Sequence, residues 1–97
     1  MAILKDILYK VHLKQVQGST GIAVTGIQID SRKVKVGDVF VAIRGVQSDG
    51  HQFIDKAVSL GAVAVVCEEM PTLVSEGVTY LEVTNTNEAV AYMSHQF

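Results

Sequence analysis

The chain has 97 residues, 48% of them apolar and 19% charged, with eight basic against ten acidic side chains for a formal net charge of −2. That composition excludes a disordered tail, and the length suits one small domain with a core of its own. No apolar run approaches the roughly 20 residues of a membrane-spanning helix, and the slight negative balance gives neither nucleic acid nor an anionic membrane a general hold.

Ile3, Leu4, Ile7, Leu8 and Val11 fall on one side of a helical projection and Lys5, Asp6 and Lys10 on the other, which predicts a short amphipathic helix. The same charges interrupt the apolar stretch that an export signal requires. Gln15 to Gly21 is polar and reads as a connection. Ile27 and Ile29 then alternate with Gln28 and Asp30 as on a half-covered strand, closed by Asp30-Ser31-Arg32.

Val39 to Ile43 is apolar at every position, the pattern of a strand covered on both faces. Asp49 is placed to cap a following helix, with Gln52 completing a capping box, a buried stripe of Phe53, Ile54, Ala57 and Val58, and Gly61 as its stop. Ala62 to Val66 and Val78 to Val83 are two further strands, separated by a loop that contains Pro71. Asn85 and Glu88 repeat the capping pattern before a last helix with the stripe Ala89, Val90, Met93 and Phe97. Helix, strand, strand, helix, strand, strand, helix describes an α/β fold. It is a single three-layer domain over residues 1–97, with a central, mainly parallel or mixed β-sheet and helices on both faces.

The lone Cys67 cannot form an internal disulfide, and no CxxC or HxxxH spacing offers a metal site, which fits a reducing cytoplasm. Cys67 itself reads as a small hydrophobe at a strand end. His12, His51 and His95 have no carboxylate or nucleophile at a spacing that marks a triad and read as surface residues. Asp30, Asp38, Asp49 and Asp55 read as caps and turn residues. Neither GxxxxGK[ST] nor GxGxxG occurs, so the usual nucleotide cradles are absent.

Two polar loops stand out, Asp30-Ser31-Arg32-Lys33 and Gly45-Val46-Gln47-Ser48-Asp49-Gly50, each after a strand. If those strands are parallel neighbours, the loops face one another at the carboxyl edge of the sheet, where α/β folds commonly bind ligands. Arg32, Lys33, Lys35 and Arg44 make this stretch locally cationic, and the helix start after the second loop is a candidate seat for a diphosphate. Gln47, Ser48 and Ser31 could read the polar edge of a base, although turns use the same residue types for conformational reasons. Gly45 and Gly50 read as backbone joints.

Asp30-Ser31-Arg32, Gly37-Asp38-Val39-Phe40-Val41-Ala42-Ile43, Gly45, Asp49-Gly50-His51-Gln52-Phe53-Ile54, Ala57 and Gly61-Ala62-Val63-Ala64 together form one long gapless pattern. It resembles the amino-terminal domain of the Mur ligase family, most closely the members that add the third residue to the peptidoglycan precursor. The resemblance implies that this domain binds the UDP part of UDP-N-acetylmuramoyl-L-alanyl-D-glutamate through Ile29, Ser31 and the loop Val46-Gln47-Ser48. Val46 stands where some relatives carry histidine, so its contribution is backbone or apolar packing.

By the same resemblance, ATP and Mg2+ belong to a central domain of the full-length enzyme and selection of the incoming meso-diaminopimelate or lysine to a third. This chain would then hold substrate without a catalytic residue, a metal site or a cofactor of its own, and alone would be inactive. The ligases that add the terminal D-alanyl-D-alanine have a similar first domain and are the nearest alternative. A stand-alone binding or interaction module is the alternative from another class.

Overall fold

The computed structural model describes residues 2–45 and 49–97. Its central sheet has five strands: β2 (Leu13–Gln17), β4 (Gly26–Gln28), β5 (Asp38–Val41), β6 (Ala64–Cys67) and β7 (Thr79–Val83), in the spatial order β2-β7-β6-β5-β4. β4, β5, β6 and β7 pair in parallel, and β2 closes one edge antiparallel to β7. A separate two-stranded ribbon joins β1 (Ala2–Ile3) to β3 (Ala23–Val24). The sheet is therefore mixed.

Alternation along the central strands divides the core into two layers. Val39, Val41, Ala64, Val66, Leu81 and Val83 meet Leu4 and Ile7 of α1 (Leu4–Ile7) and Ala89 and Met93 of α3 (Thr86–Gln96). Phe40, Ala42, Val65, Cys67 and Tyr80 meet Ile54 and Ala57 of α2 (Ile54–Ser59), with Val34 beside them. Helices thus cover both faces of the sheet, which is why every residue of β5 and β6 is buried and all but Asp38 are apolar. Burial also pushes the Cys67 thiol up to about 11, in keeping with a small core side chain rather than a nucleophile.

The elements differ from the sequence pattern at several points: the β1–β3 ribbon has no counterpart in it, and β4 stops at Gln28 and β5 at Val41, short of Asp30 and Ile43. The first helix is one turn, because Ile3 pairs with Ala23 in the ribbon and Lys10 turns the chain at φ 69°. Leu13–Gln17, which overlaps the start of the stretch Gln15 to Gly21 read as a connection, is an edge strand; all five of its residues are exposed, so hydrophobicity alone could not reveal it. Asp49 caps as expected, but a 3-10 turn over Gly50–Phe53 intervenes before α2 begins. The Asp49 carboxylate takes the His51 amide, and Gln52 does not complete a capping box among the described residues.

Gly61 ends α2 at φ 112°, with its amide on the Val58 carbonyl, and its own carbonyl accepts from Gly37. A Cβ there would lie 2.7 Å from the Val36 Cα. Strain and clash coincide. Gly61→Ala is expected to lower the unfolding free energy by about 1–3 kcal/mol, measured by urea denaturation of the two proteins side by side.

Candidate nucleotide cleft

β4 and β5 pair in parallel with Gly26 opposite Asp38 and Gln28 opposite Phe40, so the chain leaves both strands at the same rim of the sheet. After β4 come Ile29, Asp30 and a 3-10 turn, Ser31–Lys33; after β5 come Ile43, Arg44 and Gly45. Arg44 bridges back to Asp49, and the Gly50 amide donates to the Ile43 carbonyl at 2.7 Å, pinching the base of the second loop. Gly50 allows this because a Cβ would stand 2.7 Å from the Ile43 nitrogen. Between the two loops lies a cleft of about 660 Å³ lined by Ile29, Asp30, Ser31, Arg32, Ile43, Gly45, Gly50, Phe53 and Lys56. Its size is that of a small-molecule site.

Ile29 and Ser31 therefore come together with Gly45 and Gly50 at one cavity. Val46, Gln47 and Ser48 lie outside the described residues. Ile29 is 59% exposed, an apolar side chain held in the open beside the cleft. Ser31 is buried as a residue, and among the described residues its hydroxyl has no hydrogen-bond partner. Ser31 is one of the residues that line the cleft.

The two arginines of the expected cationic stretch are each paired with carboxylates within the protein. Asp30 Oδ1 accepts from the Arg32 amide and from Arg32 Nε, both at 3.0 Å, and Oδ2 accepts from Arg32 Nη2 at 2.9 Å. The guanidinium and amide of Arg32 hold the Asp30 carboxyl down at about 2. Arg44 forks to Glu69 at 3.1 Å, Asp49 at 3.5 Å and Glu68 at 3.8 Å. The helix start is also occupied: the Gly50 amide donates to Ile43, the His51 amide to the Asp49 carboxylate and the Gln52 amide to the Asp49 carbonyl. The amides expected to seat a diphosphate are bonded inside the protein.

Sequence spacing missed three participants, Phe53, Lys56 and His51. Phe53, read as part of the buried stripe, is 39% exposed and lines the cleft together with Lys56 one turn later. His51, read as a surface residue, is a clamp: its Nε2 accepts from the Glu68 and Glu69 amides at 3.0 and 3.3 Å, and its Nδ1 meets Asp49 Oδ1 at 2.6 Å. Two amides donating to Nε2 require the proton on Nδ1, so His51 is a donor to the carboxylate. Asp49 lies below the usual carboxylate range, chiefly through the His51 amide. Its partner is only two residues away, a spacing no triad search would pick.

Glu68 continues this network to α3. Its Oε2 accepts from the Thr86 amide at 2.8 Å and the Thr86 hydroxyl at 3.0 Å, and the amide bond is the main reason its carboxyl sits below the ordinary value. Among the described residues no group of three or more His, Cys, Asp or Glu side chains could hold a metal. Among the described residues, no helix is long and apolar enough to cross a membrane.

The protein-family profile described as "Mur ligase family, catalytic domain" matches residues 23–97. The chain belongs to the Mur ligase family. Relatives from Bacteroides fragilis (43% identical over 94 residues), Cytophaga hutchinsonii (46% over 95) and Chlorobaculum tepidum (49% over 74) are each named UDP-N-acetylmuramoyl-L-alanyl-D-glutamate--2,6-diaminopimelate ligase. The alignments cover 97%, 97% and 76% of this chain but only 19%, 20% and 15% of those relatives. This member of the Mur ligase family thus spans about a fifth of their length.

Solved structures agree on the fold. The MurF ligase from Thermotoga maritima in complex with ADP superimposes with a TM-score of 0.63 and 34% identity, over 73% of this chain and 16% of that one. MurF from Acinetobacter baumannii gives 0.63 and 28%, over 71% and 15%.

The side-chain pairs of the rim can be tested one at a time. Ionised Asp30 is favoured by the fold, so its contribution is complete above the ordinary 3.8 and is lost as pH falls through about 2. Arg32→Ala is expected to return its titration midpoint towards 3.8, read from the carboxyl carbon by NMR. His51→Ala leaves the Glu68 and Glu69 amides without their acceptor; it should cost about 1–3 kcal/mol and speed hydrogen exchange at those two amides.

Proposed function

We propose that this chain is the amino-terminal, substrate-anchoring domain of a cytoplasmic, ATP-dependent Mur ligase, and that it holds the UDP moiety of UDP-N-acetylmuramoyl-L-alanyl-D-glutamate. The observation that carries the reading is the cleft at the shared rim of β4 and β5, lined by exposed Ile29 and by Ser31, whose hydroxyl is unpartnered among the described residues, in a chain of this family. Ile29, Ser31 and the loop Val46-Gln47-Ser48 are the proposed contacts. An apolar wall suits the flat face of uracil, and a hydroxyl suits its polar edge or the ribose.

In this reading the ligase adds the third residue of the peptidoglycan peptide. The names of the relatives at 43–49% identity favour 2,6-diaminopimelate over lysine as that residue. The D-alanyl-D-alanine ligases are supported by fold similarity at lower identity, 28–34%. ATP and Mg2+ would be held by parts of such a ligase beyond the segment this chain spans: its sequence has no GxxxxGK[ST] phosphate loop. What these residues contribute is orientation. Fixing the nucleotide end of a long substrate supplies binding energy and restricts the distant carboxylate without any contact with the reacting atoms.

Titration of the 15N-labelled chain with UDP tests this directly. Amide shifts are expected at Ile29, Ser31, Gly45 and Gly50, and Ser31→Ala should weaken UDP about three- to tenfold, the loss of one hydrogen bond to a neutral group, with little change in urea stability. Equal loss of binding and stability would assign Ser31 to the turn alone.

A further inference from the structure

We propose that Lys56 supplies the phosphate-binding charge of this cleft and seats the diphosphate of the nucleotide; the proposal rests on the UDP reading and adds a residue to it. Of the described residues that line the cleft, three carry charge: Asp30, Arg32 and Lys56. The Arg32 guanidinium meets the Asp30 carboxylate through two hydrogen bonds, so that pair presents no net charge to a ligand. Lys56 makes no ion pair and no side-chain hydrogen bond among the described residues.

The other sources of positive potential are spent. Arg44 is engaged by Glu69, Asp49 and Glu68, and the first amides of the Gly50–Phe53 turn donate to Ile43 and Asp49. Lys33 and Lys35 do not line the cavity. What remains is one ammonium on α2, a helix that packs against the Ser31–Lys33 turn and buries Ile54 and Ala57 beside Val34. Lys56 stands three residues after Phe53, so the aromatic ring and the ammonium share one flank of the helix along the cleft. A nucleoside diphosphate whose base lies against Ile29 and Phe53 then presents its phosphates along the flank that carries this flexible, four-carbon cation.

The test compares UDP with uridine, which lacks the phosphates, on the wild-type chain and on Lys56→Met and Lys56→Arg, by amide-shift titration at two salt concentrations. Lys56→Met is expected to weaken UDP about five- to tenfold, to leave uridine unchanged and to flatten the salt dependence of UDP; Lys56→Arg should keep most of the wild-type preference. The exposed position of Lys56 leaves folding unaffected, which urea denaturation verifies. An unchanged UDP-to-uridine ratio in Lys56→Met, or an equal loss of both ligands, would overturn the role of Lys56 while leaving the UDP site intact. Wild-type UDP shifts that are absent or fall away from the cleft would instead defeat the UDP reading itself.

Discussion

Parallel pairing of β4 with β5 is the constraint on which the rest of this protein depends. It is fixed at its lower end by Asp38, buried at 4% exposure, whose carboxylate accepts from the Thr25 hydroxyl and the Lys35 amide. Gly26 lies directly opposite, and a Cβ there would approach the Asp38 carboxylate to 2.8 Å. A buried carboxylate so tied cannot shift without losing its donors, which makes a slip of β4 expensive. Held in this register, the two strands deliver Ile29 to Arg32 and, from the second loop, Ile43, Gly45 and Gly50 to one rim, and the cleft is the space between them.

The chemistry of the rim is set less by the residue types present than by how they pair. A sequence with Arg32 and Arg44 on adjacent loops looks cationic, yet Asp30, Asp49, Glu68 and Glu69 meet both guanidinium groups. These pairs shape the loops: Asp30 closes the first turn on Arg32, and His51 locks Asp49 to the end of β6. The cleft is thereby left with apolar walls and with a hydroxyl and an ammonium that have no partner among the described residues.

Much of this was legible in the residues. The continuous apolar runs Val39–Ile43 and Ala62–Val66 identify strands covered on both sides, and Asp30, Asp49 and Asn85 each accept a backbone amide at the start of a turn or helix. The long family pattern runs through both loops that border the cleft. Three things were hidden for physical reasons. β2 is an edge strand with no buried residue to mark it. The acidic partners of Arg44 include Glu68 and Glu69, more than twenty positions away at the end of a different strand. Phe53 belongs to the apolar pattern of α2, but the 3-10 turn that precedes the helix rotates it out of the core and into the cleft.

The proposed UDP site is tested most directly by intermolecular nuclear Overhauser effects between the uracil H5 and H6 protons of added UDP and the protein side chains. Contacts are expected to the Ile29 methyl groups and the Phe53 ring. Contacts instead to Leu8 and Tyr9, which line a second cleft of about 400 Å³ beside Lys5 and Gln96, would contradict the proposed site.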